Sequence, residues 1–221
     1  MRLRLATRRS APAQALTSPG PTEAELDQIL TLGARTPDHG KLFPWRFVVL
    51  GPQSRAALAD ALLPHAARQP DPIKARTVLS KLTAPPLTIL VISAPVDSAK
   101  PVWEQQLSAG AVCMNLEHAA NALGYAASWI TDWYSYDPAA LALYDVRAGE
   151  RVAGLPQHEA ETPRVAQPDH AAIVDDQVEV DAVVREQQRL RRGGIALVAG
   201  QLGRMLQAAD AAVLERDLQR T

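Results

Sequence analysis

Residues 35–50, with the sequence RTPDHGKLFPWRFVVL, decide how the fold of this chain is interpreted. An arginine, an aspartate, a histidine and a lysine fall within seven positions, and an apolar run follows them directly. Pro37 disfavours helical backbone at the residue before it, so the pattern predicts a helix that ends near Arg35 and a strand over 47–50. Polar side chains on such a short connection are typical of a binding site.

Patterns on both sides of this stretch predict alternating helices and strands. Thr22 and Glu25 form a capping-box pattern that opens the preceding helix. Residues 87–93 are a continuous apolar, β-branched run, which predicts a central strand buried on both faces. Residues 102–123 are small and apolar around nearly the whole circumference, which predicts a buried helix. A strand is expected over 126–133.

Length and composition favour a globular protein and exclude several classes. The chain has 221 residues, of which 47% are hydrophobic, and a formal net charge of −1. This balance gives no reason to expect nucleic acid or an anionic membrane as a partner, and no apolar run approaches membrane-spanning length. The single cysteine, Cys113, excludes an internal disulfide and fits a reducing compartment, so a cytoplasmic location is expected.

Metal and nucleotide-triphosphate chemistry have little support in the sequence. The five histidines show none of the paired spacings that zinc sites use; they are His39, His65, His118, His158 and His170. Neither a Gly-x-Gly-x-x-Gly motif nor a P-loop is present, which disfavours a Rossmann dehydrogenase and a nucleoside triphosphatase. No metal ligand is therefore predicted.

Three short segments carry groups that suit an anionic or aromatic ligand. Arg8-Arg9-Ser10 offers guanidinium forks and a hydroxyl, which can hold a phosphate monoester. A solvated basic N-terminus explains the same residues, and on the sequence alone it is the better explanation. Arg35 and His39 can equally be a helix-end cation and a loop histidine. Trp129 can line a site or fill the core.

Taken in order, these segments resemble the nitroreductase family of FMN-dependent oxidoreductases, and within it the small YdjA-like branch. The resemblance runs through RRSAP, ARTPDHGKLFPWRFVVL, VWEQQLSAGAVCMNLEHAANALGYAASWITDWYSYDP and weakens after GERVAG. It covers about the first 155 residues. The resemblance implies an α+β nitroreductase-like fold, with a small antiparallel or mixed sheet flanked by helices, assembled as a homodimer with FMN at each interface.

The same resemblance implies a function and assigns the cofactor residues. NAD(P)H would reduce FMN, and the reduced flavin would pass electrons to a small-molecule acceptor such as a nitroaromatic or a quinone. No side chain receives a catalytic role, and Glu104 is expected to be a structural carboxylate satisfied by backbone or by an arginine. Arg35 and His39 would come from the other subunit. The complete set of FMN residues implied is Arg8, Arg9, Ser10, Arg35, His39, Trp129, Ile130 and Thr131.

Two departures from the family pattern leave other functions open. The last strand looks shortened to 151–155 because Pro156 follows it, and Asp132 stands where related chains often have glycine. A catalytically degenerate member that acts as an interaction module is one alternative, and a flavin enzyme that uses oxygen is another. Residues 1–175 are expected to form the FMN-binding domain. Residues 176–221 are expected to form a helical extension.

Overall fold

The computed structural model of the protein describes residues 2–160. The helices are α1 (Arg2–Thr7), α2 (Glu23–Ala34), α3 (Pro52–Ala66), α4 (Pro72–Thr77), α5 (Ser80–Thr83), α6 (Val102–Ala122) and α7 (Pro138–Leu143). The strands are β1 (Trp45–Leu50), β2 (Leu87–Ser93), β3 (Tyr125–Ile130) and β4 (Arg151–Ala160). Two short 3-10 helices cover Ala13–Ala15 and Trp133–Ser135.

The four strands form one antiparallel sheet in the order β1-β2-β4-β3. All seven residues of β2 are buried, which confirms the prediction of a central strand from its continuous apolar run. The strands β1 and β3 lie at the two edges. The α+β class and a small sheet flanked by helices are therefore confirmed, and the sheet is antiparallel rather than mixed.

Each face of the sheet is covered by its own apolar core. On one face, Ile89 and Val91 pack with residues of α2 and α6 such as Ile29 and Leu116. On the opposite face, Leu90 packs with residues of α3, α5 and α7. Because side chains alternate along a strand, a central strand that is buried at every position contributes to both cores.

The helices begin and end close to the predicted residues. The capping box is present, since Thr22 Oγ1 accepts from the Glu25 N–H and Glu25 Oε2 accepts from the Thr22 N–H. Helix α2 ends at Ala34, one residue before the predicted end. At Gly33 an added Cβ would overlap the Leu116 side chain, so glycine allows α2 to approach α6 closely.

The prediction of a shortened last strand is wrong. Strand β4 continues through Pro156 to Ala160, and Pro156 pairs with Trp129 of β3. On the β2 side, Gly154 pairs with Val91 and Gln157 with Thr88, so pairing resumes on both sides of the proline. A proline forfeits only its own N–H, and the neighbouring residues keep the strand in the sheet. A register shift between Val91 and Ile92 also marks a bulge in this pairing.

Two expectations lie beyond the described residues. The domain boundary at residue 175 and the helical extension over 176–221 fall outside 2–160 and stay predictions.

Strand β3 ends at Ile130 instead of continuing to 133, because the chain enters the 3-10 helix that Asp132 caps. Within residues 2–160, no helix is both long and apolar enough to cross a membrane.

Candidate functional site

The N-terminal segment lies along the free edge of the sheet, beside β3. The Ala11 N–H donates to the Ala127 carbonyl oxygen at 3.2 Å, which ties the segment to the edge strand. Arg8 Nη1 lies 3.4 Å from Ser10 Oγ, and Arg9 Nη1 donates to the Arg8 carbonyl at 2.9 Å. The predicted phosphate-binding residues are therefore brought together next to the strand that carries Trp129.

Arg8 is held by a buried carboxylate that the sequence analysis did not assign to the site. Arg8 Nη1 donates to Glu117 Oε2 at 3.2 Å, and the Glu117 side chain is only 1% exposed. The second oxygen, Glu117 Oε1, has no hydrogen-bond partner among the described residues. Burial raises the pKa of Glu117, while the Arg8 guanidinium and the Trp129 backbone N–H oppose that rise.

The predicted flavin-lining residues at the end of β3 separate onto different surfaces. Trp129 is 37% exposed and its Nε1–H donates to the Ala153 carbonyl at 3.3 Å, so its indole is not a core filler. The indole lies over Gly154, where an added Cβ would overlap its Nε1 and Cδ1 atoms. Ile130 packs against the core on the opposite face, and Thr131 is exposed beyond the strand.

Asp132 is paired and does not project into the site as a lone charge. Its Oδ2 accepts from Lys81 Nζ at 2.7 Å, and its Oδ1 accepts from the Trp133 backbone N–H at 2.8 Å. The residue thus caps the 3-10 helix that follows β3. The charge of Asp132 is therefore compensated by Lys81.

His39 lies at the start of α6, whereas the chain neighbours of Arg35, Gly33 and Thr36, lie against Leu116 and Asn115 farther along that helix. Arg35 is the exposed C-cap residue of α2. His39 Nδ1 lies 2.7 Å from Glu104 Oε2, with side-chain exposures of 53% and 45%. The expectation that Glu104 is satisfied by backbone or by an arginine is therefore wrong, because its partner is His39.

The two groups are separated along the same helix. We call Arg8, Arg9, Ser10, Glu117 and Trp129 the Arg8 group, and His39 and Glu104 the His39 group; Arg35 belongs to neither. Between Glu104 and Glu117 lie thirteen helical steps (117 − 104), which at about 1.5 Å each amount to roughly 20 Å along α6. Within one subunit, the His39–Glu104 contact therefore lies far along α6 from the Arg8–Glu117 contact.

An apolar stripe runs along the solvent side of α6. Trp103 is 66% exposed and Leu107 is 53% exposed. Ala111 is also exposed, and a Cβ added at Gly110 would meet nothing within 4 Å. These positions recur at helical spacing on one face. Exposed large apolar side chains beside small residues are typical of a helix that packs against another protein surface.

Neither Cys113 nor a cluster of metal-binding side chains forms a candidate site within residues 2–160. Cys113 is fully buried in α6, and burial raises the pKa of its thiol to about 12. A buried thiol with a raised pKa is a poor nucleophile. Within residues 2–160, no group of three or more His, Cys, Asp or Glu side chains could hold a metal ion.

The comparisons with known proteins establish the family. The family model described as "Nitroreductase family" matches residues 5–160. The Escherichia coli K12 protein YdjA, whose name provisionally assigns it as an NAD(P)H nitroreductase, is 32% identical over 155 residues, covering 68% of this chain and 82% of YdjA. A Haemophilus influenzae protein with the same provisional assignment is 33% identical over 155 residues, covering 68% and 83%. The chain belongs to the nitroreductase family.

Solved structures agree with this fold. A nitroreductase-like family protein from Bacillus cereus superposes with a TM-score of 0.63 at 20% identity, covering 77% of this chain and 89% of that protein. A nitroreductase from Bacteroides fragilis with bound FMN gives a TM-score of 0.58 at 19% identity, covering 80% and 96%. At these identities the likeness concerns the fold.

Glu117 should make the stability of the protein depend on pH, and a substitution of this residue should remove its part of that dependence. Its folded pKa is raised, so between the unfolded pKa near 4.5 and the folded pKa the native state binds more protons than the unfolded state. Stability should therefore fall as pH rises through this window. We expect Glu117→Gln to lose less stability than the parent over the same window, as measured by urea unfolding at several pH values. If the free energy of unfolding of the parent and of Glu117→Gln changes in the same way with pH, the raised pKa of Glu117 is contradicted.

Proposed function

We propose that the protein is an FMN-dependent oxidoreductase that uses NAD(P)H to reduce nitroaromatics, quinones or similar electron-poor acceptors. The observation that supports this most directly is the Arg8 group, in which two guanidinium groups and a hydroxyl lie next to the edge strand that carries the partly exposed Trp129 indole. An aromatic cofactor with a phosphate tail needs such a combination. The provisional names of the curated relatives and the FMN-bound structural neighbours support the same proposal.

The donor set suits a phosphate, with one adjustment to the sequence-based proposal. Guanidinium groups bind phosphate oxygens by charge-assisted hydrogen bonds. Because Glu117 compensates part of the Arg8 charge, we assign the net positive charge that faces the phosphate mainly to Arg9, which is exposed. Arg8 would supply directed N–H donors, and Ser10 would add a hydroxyl. Trp129 would line the ring system.

We further propose a homodimer in which each FMN lies between subunits. The roughly 20 Å between Glu104 and Glu117 along α6 supports a site to which His39 and the Arg8 group come from different subunits. Packing α6 against its copy would cover the apolar stripe of Trp103 and Leu107, and Gly110 would permit close approach. The His39 group of one subunit could then complete the Arg8 group of the other.

In this proposal the flavin supplies the redox chemistry, and the protein binds and orients it. Arg8, Arg9 and Ser10 hold the phosphate and ribityl end. Trp129 and Thr131 border the ring from β3, while Ile130 supports that strand end from the core. Arg35 and His39 contribute from the partner. No side chain of the chain is assigned to proton transfer.

The catalytically degenerate alternative is less well supported than the reductase. Strand β4 reaches full length, and Asp132 is compensated by Lys81. A flavin enzyme that consumes oxygen has no feature of residues 2–160 in its favour over the proposed reductase. We also propose a cytoplasmic location, since the lone cysteine is a buried thiol suited to a reducing compartment.

Hybrid dimers test the shared site. We expect Arg9→Ala and His39→Ala each to weaken FMN binding; loss of the Arg9 contact should cost about 1.5–3 kcal/mol. When differently tagged Arg9→Ala and His39→Ala subunits are exchanged and the hybrid is purified through both tags, one of its two sites has both native residues. The hybrid should therefore bind one FMN per dimer with parental affinity in a fluorescence titration.

The outcome separates shared sites from sites within one chain. If Arg9 and His39 of the same subunit serve the same FMN, every site in the hybrid carries one defect, and no tight binding returns. Glu23→Ala provides a control, because Glu23 is an exposed carboxylate in α2 that belongs to neither group. If the hybrid binds FMN no more tightly than the Arg9→Ala homodimer and the His39→Ala homodimer do, the interfacial site is contradicted.

A further inference from the structure

His39 lies on a loop whose backbone is held in an uncommon conformation. Within this loop, residues 36–44, the φ angles are +98° at Gly40, +55° at Lys41 and +48° at Phe43. Non-glycine residues in the left-handed region cost of order 1–3 kcal/mol each, and they persist only where surrounding contacts fix them. The backbone around His39 therefore has a specific conformation that neighbouring contacts must hold.

Contacts on both sides of His39 hold this loop. Asp38 Oδ2 accepts from the backbone N–H groups of Leu42 and Phe43, which closes the turn that follows His39. Before the histidine, Thr36 Oγ1 donates to the Gly33 carbonyl at 2.8 Å and accepts from Asn115 Nδ2 at 2.7 Å. The backbone that carries His39 is therefore anchored to itself, to α2 and to α6.

The imidazole of His39 has a specific partner, although it is open to solvent. Glu104 Oε2 lies 2.7 Å from His39 Nδ1, and an ionised carboxylate can only accept a hydrogen bond. Nδ1 must therefore carry a proton, and in the neutral ring Nε2 is then an acceptor. About half of each side chain is exposed, so the pair adds little to stability. Its consequence is the orientation and tautomer of the ring.

The position of Glu104 is itself fixed by the start of α6. It lies in the first turn, where the helix N-terminus favours a carboxylate. The next residue, Gln105, is buried and binds the preceding loop, accepting from the Val96 N–H at 2.8 Å and donating to the Val96 carbonyl at 3.1 Å. Both ends of the His39–Glu104 contact thus belong to anchored backbone.

We propose that Glu104 is a positioning residue for His39. It holds the proton on Nδ1, so that Nε2 of the neutral imidazole accepts a hydrogen bond from a donor of the bound ligand, such as a hydroxyl or a ring N–H. The identity of the ligand as FMN rests on the proposed function. The tautomer of His39 rests only on the contact with Glu104.

The first measurement concerns the tautomer and needs no FMN. Proteins with ¹⁵N-labelled histidine are compared by NMR at about pH 8, where an ordinary imidazole is neutral. His39→Ala assigns the resonances of His39. We expect Nδ1 to be protonated in the parent and in Glu104→Gln, whose amide oxygen can still accept. In Glu104→Ala the proton should move in part to Nε2. An unchanged tautomer in Glu104→Ala would overturn the proposal.

The second measurement links the tautomer to binding. We expect Glu104→Ala to weaken FMN affinity about five- to tenfold, the value of an ordinary hydrogen bond, and Glu104→Gln to restore most of it. In the His39→Ala background, Glu104→Ala should have no further effect, whereas additive losses would overturn the role. Glu23→Ala is the matched control, an exposed first-turn carboxylate on α2. A parent that binds no FMN would overturn the proposed function, and the NMR result would still decide the role of Glu104.

Discussion

Replacing Arg8 with alanine should destabilise the protein and weaken FMN binding at the same time. Arg8 is the charged partner of Glu117, which is 1% exposed, so the substitution leaves a buried carboxylate without compensation. Removing one partner of a buried pair costs 3–5 kcal/mol, and because Arg8 itself is 26% exposed we expect about 2 kcal/mol here. Urea unfolding without FMN measures this loss, and fluorescence titration measures the loss of binding.

The neighbouring residue supplies the control for this prediction. Arg9 is exposed and donates to the Arg8 carbonyl, so Arg9→Ala removes a guanidinium without uncovering a buried charge. It should weaken FMN binding and leave the free energy of unfolding within about 0.5 kcal/mol of the parent. If Arg8→Ala and Arg9→Ala are equally stable, the Glu117 ion pair does not anchor the N-terminal segment.

Replacing Gly154 with alanine should have the second large effect. The new Cβ would overlap the Trp129 indole, so the ring must leave its position over β4 and lose its hydrogen bond to Ala153. Overpacking of this kind costs about 1–3 kcal/mol. Because we propose that Trp129 lines the flavin, FMN affinity should fall as well. Thermal unfolding and FMN titration on the same sample measure both quantities.

A second glycine shows whether the effect is specific to Gly154. An added Cβ at Gly51 meets nothing within 4 Å, so Gly51→Ala tests the loss of a glycine without a clash. We expect it to retain FMN affinity and, because alanine is a poorer N-cap residue than glycine, to lose at most about 1 kcal/mol of stability at the start of α3. Normal FMN binding by Gly154→Ala would mean that the indole position is unimportant to the site.

Local patterns in the sequence were sufficient for most of the fold. The capping box at Thr22 and the largely apolar run of β2 each depend on neighbours a few residues apart, and both are confirmed. The predicted end of the last strand before Pro156 is wrong, because a proline lacks only its own N–H and does not by itself end a strand. The partners of this strand in β2 and β3 are far away in the chain, and they hold the strand on both sides of the proline.

The site was less predictable because its contacts are long-range. Glu117 lies 109 positions from Arg8, and Glu104 lies 65 positions from His39. Within α6, a carboxylate among small apolar residues gives no indication of its partner. The one available signal for Glu117 was its place on a helix predicted to be buried on most sides, where a charge requires a counter-charge. The family pattern named Arg8 and His39 but not the carboxylates that hold them.

The most direct test of the central claim is anaerobic absorbance spectroscopy of the full chain reconstituted with FMN. We expect the protein to retain the flavin through gel filtration, and NADH or NADPH to bleach the oxidised flavin band. A nitroaromatic or a quinone added without oxygen should then restore the band. Failure to retain FMN, or a bound flavin that neither nucleotide reduces, would contradict the proposed function.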